Sequence, residues 1–138
     1  MAVDPKLSYA GTNVMQDGLS TALNSGKLRV YDSASAIPTN ADDSVGADAL
    51  AAELTLNADF AAASSNGVLT AGAITADSSA NATVAAADYY RLWDSAGTTC
   101  YFQDTVGTDT SGLVLNSVAI QSGANVAVTS LTLTLPRE

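Results

Sequence analysis

Along most of this chain, apolar residues recur at every second position. Leu28 and Val30 alternate with Arg29 and Tyr31, and Leu50, Ala52, Leu54 and Leu56 alternate with Ala51, Glu53 and Thr55. A period of two sends successive side chains to opposite faces and predicts half-buried strands. The same reading extends to 68–75, 83–93, 98–104, 113–116 and 118–121. Over 83–93 it places Tyr90 and Leu92 on the inner face and Tyr89, Arg91 and Trp93 on the other. In 124–135 the phase slips, from Val126 and Val128 to Leu131, Leu133 and Leu135. One extra residue reverses the face of all that follow, so a bulge is predicted near Thr129 and Ser130, with Pro136 ending the strand.

Turn signals separate these runs. Segment 32–46 carries Pro38, Asp42 and Asp43, with Asp48 just beyond, and reads as a long, acidic, mobile loop. Asn66-Gly67 is a tight-turn pair because both residues tolerate positive φ. Phe60 is expected to fill the core from a loop. Many short strands with polar turns predict an all-β domain over 27–138: an antiparallel β-sandwich or jelly roll of about eight strands.

The first 26 residues break this period. Val14, Met15, Leu19, Ala22 and Leu23 fall at helical spacing, with Asn13 as a candidate cap, but Gly18 in the middle costs about 1 kcal/mol relative to Ala. Residues 1–26 are therefore expected to form an N-terminal arm with at most one short helix.

One motif appears twice. Arg29-Val30-Tyr31-Asp32-Ser33-Ala34 and Arg91-Leu92-Trp93-Asp94-Ser95-Ala96 match in chemical type, predicting two similarly built strand ends. Tyr31 and Trp93 occupy the aromatic position of each and are candidate exposed contact anchors, of the type enriched at protein interfaces.

Composition narrows the function. The 138 residues suit one domain, but the aromatic fraction is only 6%, so large packing side chains are few and an oligomer is expected to help. A formal charge of −9 disfavours direct binding to nucleic acid or anionic membranes, whose attraction runs through Lys and Arg. The uncharged run 110–136 is interrupted by polar residues too often for a membrane helix. With no His and a single Cys, neither a Ser-His-Asp arrangement nor an ordinary zinc site can be built. Gly107 and Gly112 have the outer spacing of a phosphate loop, yet Leu113 stands where its Lys would be. The acidic groups Asp42, Asp43 and Asp48, or Asp104 and Asp109, lack a recognisable ligand spacing. No enzyme activity and no cofactor are expected.

Taken together, Leu28-Arg29-Val30-Tyr31-Asp32, Ala52-Glu53-Leu54-Thr55-Leu56, Leu69-Thr70-Ala71-Gly72-Ala73-Ile74-Thr75, Arg91-Leu92-Trp93-Asp94 and Ser130-Leu131-Thr132-Leu133-Thr134 resemble a family of small virion proteins of tailed bacteriophages. The chain is similar in size and composition to the decoration, or cement, proteins that coat capsids. It departs from the family pattern at Ser33, where a Gly usually follows the Asp. The resemblance implies a non-enzymatic protein made in the host cytoplasm. It would bind the major capsid protein on the capsid exterior as a dimer or trimer and stabilise the head. The arm and a sheet corner would make the contacts, through Lys6, Leu7, Tyr9, Met15, Tyr31 and Trp93. Two alternatives stand beside it: a tail-associated structural component, and a carbohydrate-binding β-sandwich using Tyr89, Trp93 or Tyr101 as stacking platforms.

Overall fold

The computed structural model describes residues 6–108 and 112–134. Its elements run α1 (Tyr9–Ala22), β1 (Lys27–Asp32), β2 (Ala49–Thr55), β3 (Val68–Thr70), β4 (Tyr89–Trp93), β5 (Cys100–Gly107), β6 (Leu113–Leu115) and β7 (Val128–Thr134). The seven strands lie in one sheet, in the order β2-β1-β4-β5-β6-β7-β3. The expected purely antiparallel arrangement is corrected here: β5 and β6 are parallel, with Val106 beside Leu113, and the other neighbours are antiparallel. The fold is mostly β with one helix among the described residues.

Irregular backbone continues the sheet beyond its named strands. Segment 75–87 lies alongside β2, exchanging backbone bonds between Thr55 and Thr75 and donating from Asn81 N–H to the Ala51 carbonyl. On its other side the same segment exchanges bonds between Asp77 and Val126, and between Val84 and Ile120. Val126 leads into β7, so a continuous path of hydrogen bonds returns from β2 to β7. The run 118–121, expected as a strand of its own, forms only the Ile120 bridge to Val84 of this segment. The composition of 75–87, rich in Ala and Ser, supplies backbone groups for pairing but little side-chain mass to hold a regular strand.

The core follows the alternation read from the sequence. Leu28, Val30, Leu54, Tyr90, Leu92, Leu113, Leu131 and Leu133 pack in one cluster, joined by Phe60 from a loop. Asn66 and Gly67 both adopt positive φ, 51° and 77°, in the turn before β3. The predicted bulge is present. Leu115 faces Val128 while Val114 faces Ser130, leaving Thr129 as the extra residue, and Leu131 and Leu133 thereby reach the core. The corresponding expectations for Leu135 and Pro136 lie outside the described residues.

The helix is longer than expected and begins earlier. Ser8, not Asn13, caps it, its Oγ accepting from the Gly11 N–H. Asn13 is used elsewhere: its Oδ1 accepts from the Gly67 N–H. The side of α1 turned to the body mixes polar and apolar groups: Thr12, Gln16 and Ser20 are buried, and Leu19 and the C-cap Leu23 pack against the core. The fully buried Gln16 amide donates from Nε2 to the carbonyls of Gly67 (2.8 Å) and Leu133 (3.0 Å). Ser64 N–H donates to Asp17 Oδ1, and Ser64 Oγ to the Asn13 carbonyl. The N-terminal segment is thus held on β3 and β7 by side-chain bonds to backbone.

Candidate interaction surface

Leu19 and Leu23 pack against the core, but two other apolar residues of α1 face outward. Val14 is 73% exposed and Met15 54% exposed. At about 3.6 residues per turn, Gly11, Val14, Met15, Gly18 and Ala22 share one sector of the helix. Leu7 joins it, its side chain reaching within 3.8 Å of where a Cβ on Gly11 would stand. Nothing lies within 4 Å of a Cβ placed on Gly18. Large apolar side chains left this exposed on a helix mark a surface available for contact.

The six residues expected to make contacts therefore separate. Leu7 and Met15 lie on the outward sector and Lys6 is exposed at its N-terminal end. Tyr9 is also exposed but lies on the flank of α1 beside Gly67. Val14, which the helical spacing had grouped with Met15, is the most exposed apolar residue of the helix and was not singled out as a contact.

Tyr31 is a correction: it is 4% exposed and cannot be a surface anchor. Its ring stacks on Tyr89, with centroids 5.0 Å apart and planes 13° apart, and burial raises its hydroxyl pKa. The segment expected to be a mobile acidic loop lies over this face. Tyr89 donates to Asp48 Oδ2 (2.6 Å), Asp48 Oδ1 accepts from Ala34 N–H, and Ser33 donates to Asp88 through both N–H and Oγ. Gln103 Nε2 donates to the Pro38 carbonyl and Arg91 Nη2 to that of Asn40. A mobile reading followed from composition; the donors that fix the loop, Tyr89, Arg91 and Gln103, come from distant strands.

Trp93 is half-buried. The Arg29 guanidinium sits 4.9 Å from its ring centroid, and Arg29 Nε also pairs with Glu53 (2.7 Å). Trp93 borders a recess of about 280 Å³ with Asp42, Thr98, Thr99 and Cys100. Burial raises the pKa of the Cys100 thiol, keeping it in its less reactive protonated form. The Asp94 carboxylate is held below its ordinary pKa, chiefly by the Thr98 N–H, and closes the turn after β4. Among the described residues, no group of three or more His, Cys, Asp or Glu side chains could hold a metal, and no helix is long and apolar enough to cross a membrane.

The chain matches no family model, no curated protein and no solved structure.

Proposed function

We propose that this chain is a non-enzymatic virion structural protein that binds the major capsid protein on the outer lattice of a tailed-phage head and stabilises it. The observation that carries this reading is the outward apolar face of α1, a surface suited to contact with protein. The closed hydrogen-bond path of the sheet supports it as well, because a body with covered strand edges can be present in many copies without edge-to-edge pairing. The sandwich geometry belongs to the same proposal, as the closed sheet flattened into two facing layers. Occupancy on expanded heads tests it. Deleting residues 2–12, or replacing Met15→Glu, is expected to lower occupancy, and unchanged occupancy for both would overturn the assignment. Copy number separates head from tail, since hundreds per particle fit a lattice and a handful fit a tail component.

A second reading has a specific observation behind it. The recess beside Trp93 combines an indole with the Asp42 carboxylate and the Thr98 and Thr99 hydroxyls, groups suited to a sugar ring. Glycan-array binding that disappears in Trp93→Ala would favour a carbohydrate-binding module; an array with no signal would remove it.

A further inference from the structure

We propose that the outward sector of α1 pairs with the same sector of a second copy of this chain, the two helices running antiparallel about a two-fold axis between Val14 and Met15. The proposal rests on the reading of the chain as a lattice protein and names the occupant of its exposed helix face.

Charge selects the occupant. Each copy carries −9, so two copies meet favourably only where the contact is uncharged or complementary. Leu7, Gly11, Val14, Met15, Gly18 and Ala22 carry no charge. The ends of the strip do, and with opposite sign. Lys6 stands at the N-terminal end. Flanking the C-terminal half of the helix, Asp17 and the exposed Asp59 line a recess with Ser20, Thr21 and Asn24, near the helix C-terminus and its partial negative charge. An antiparallel pair brings each Lys6 to the acidic end of the other copy, whereas a parallel pair sets Lys6 beside Lys6.

The side chains are self-complementary in that arrangement. A two-fold axis between residues 14 and 15 sets Val14 against Met15, Gly11 against Gly18 and Leu7 against Ala22 of the other copy. Each residue's contact is then made twice, as an isologous interface requires. Gly18 also gains an explanation: an exposed glycine inside a helix is unfavourable, and close approach of a second backbone is a use that a side chain would block. The helix is about 21 Å long at 1.5 Å per residue. One such strip buries less than the roughly 800 Å² per partner of a standard interface, so the pair is a weak one that forms and dissociates with concentration.

Sedimentation equilibrium of the full chain from micromolar to millimolar, at physiological ionic strength where the repulsion between the two acidic chains is screened, tests the pairing. The expected result is a reversible monomer–dimer equilibrium. Met15→Glu and Gly18→Leu should each weaken it by about tenfold or more, with no loss of Tm because both positions are exposed in the monomer. Lys6→Glu should weaken it, and adding Asp59→Lys to the same chain should restore it. A chain that stays monomeric throughout, or a dimer indifferent to Met15→Glu and Gly18→Leu, would overturn the proposal; a charge swap that fails to restore association would overturn its antiparallel arrangement. Head occupancy separates this from the broader reading. A monomeric wild-type chain whose occupancy falls in Met15→Glu rejects pairing and keeps lattice binding. A dimer whose Met15→Glu variant still fills the heads keeps pairing and rejects α1 as the lattice contact.

Discussion

Arg29 on β1 and Arg91 on β4 are direct cross-strand partners, two like charges side by side in the sheet. Such a pair repels unless each charge finds its own acceptor. Arg29 takes Glu53, its neighbour on β2, and the face of Trp93. Arg91 is 2% exposed and is held by neutral acceptors, Gln103 on β5 at 2.9 Å and the Asn40 carbonyl in the loop. The row Glu53, Arg29, Arg91, Gln103 crosses four strands and also anchors the loop above it.

That row makes Gln103 more important to stability than its neutral side chain suggests. Gln103→Leu removes the acceptor of a buried guanidinium N–H and the donor to Pro38, and should destabilise the fold by about 1–3 kcal/mol. Glu53→Gln, at a more exposed pair, should cost no more than about 1 kcal/mol. Denaturant melts compare the two, and equal losses would show that Arg91 is satisfied by other groups.

Gln16 should hold the helix to the body. Gln16→Ala leaves the Gly67 and Leu133 carbonyls without this donor, and a loss of about 1–3 kcal/mol is expected. Gln16→Glu should be worse at neutral pH, because it sets a carboxylate against two carbonyl oxygens. Hydrogen exchange of α1 amides reads the effect directly: α1 should exchange faster in both variants, ahead of β1 and β4.

The bulge gives a test by deletion. Removing Thr129 joins Val128 directly to Ser130, which restores simple alternation and keeps Leu131 and Leu133 facing inward. Removing Thr132 instead turns Leu133 outward, forfeiting about 1.5–3 kcal/mol of side-chain burial. Thermal melts should therefore rank the Thr129 deletion as the more stable of the two.

Alkaline pH should unfold the chain through its buried phenols. The pKa values of Tyr31, Tyr89 and Tyr90 are raised above the ordinary 10.0, in each case chiefly by burial, with the neighbouring carboxylates Asp48 and Asp104 adding to the shift at Tyr89 and Tyr90. A raised folded-state pKa means that the unfolded state releases its proton first. The stability contribution is complete below pH 10 and is lost as pH rises from there toward the folded-state values. Phenolate absorbance followed beside circular dichroism should show these groups ionising together with unfolding.

Local pattern made much of the core legible. The period of two identified the faces of Leu28, Val30, Tyr90 and Leu92, and the phase slip identified the bulge at Thr129. What the pattern lacked was distance. Leu113 beside Val106 in parallel, or Asp48 beneath Tyr89, are matters of which strand lies next to which, and no local spacing encodes that. The helix was harder for a different reason. Its apolar residues were visible at helical spacing, but only Leu19 and Leu23 pack inward, where Gln16 also bonds, and Val14 and Met15 face outward. Val14 was thus readable as a helix residue but not as a surface one.

The Gln16 amide joins residues 117 positions apart, from the second turn of α1 to β7. Seen in the order of synthesis, the helix emerges before every strand of the sheet, and its dock is complete only once β7 has followed. Until Leu133 is available, Gln16 lacks one of its two acceptors and the hydrogen-bond path through β7 stays open. Closure through β7 therefore carries a large loop-closure cost and comes late in folding.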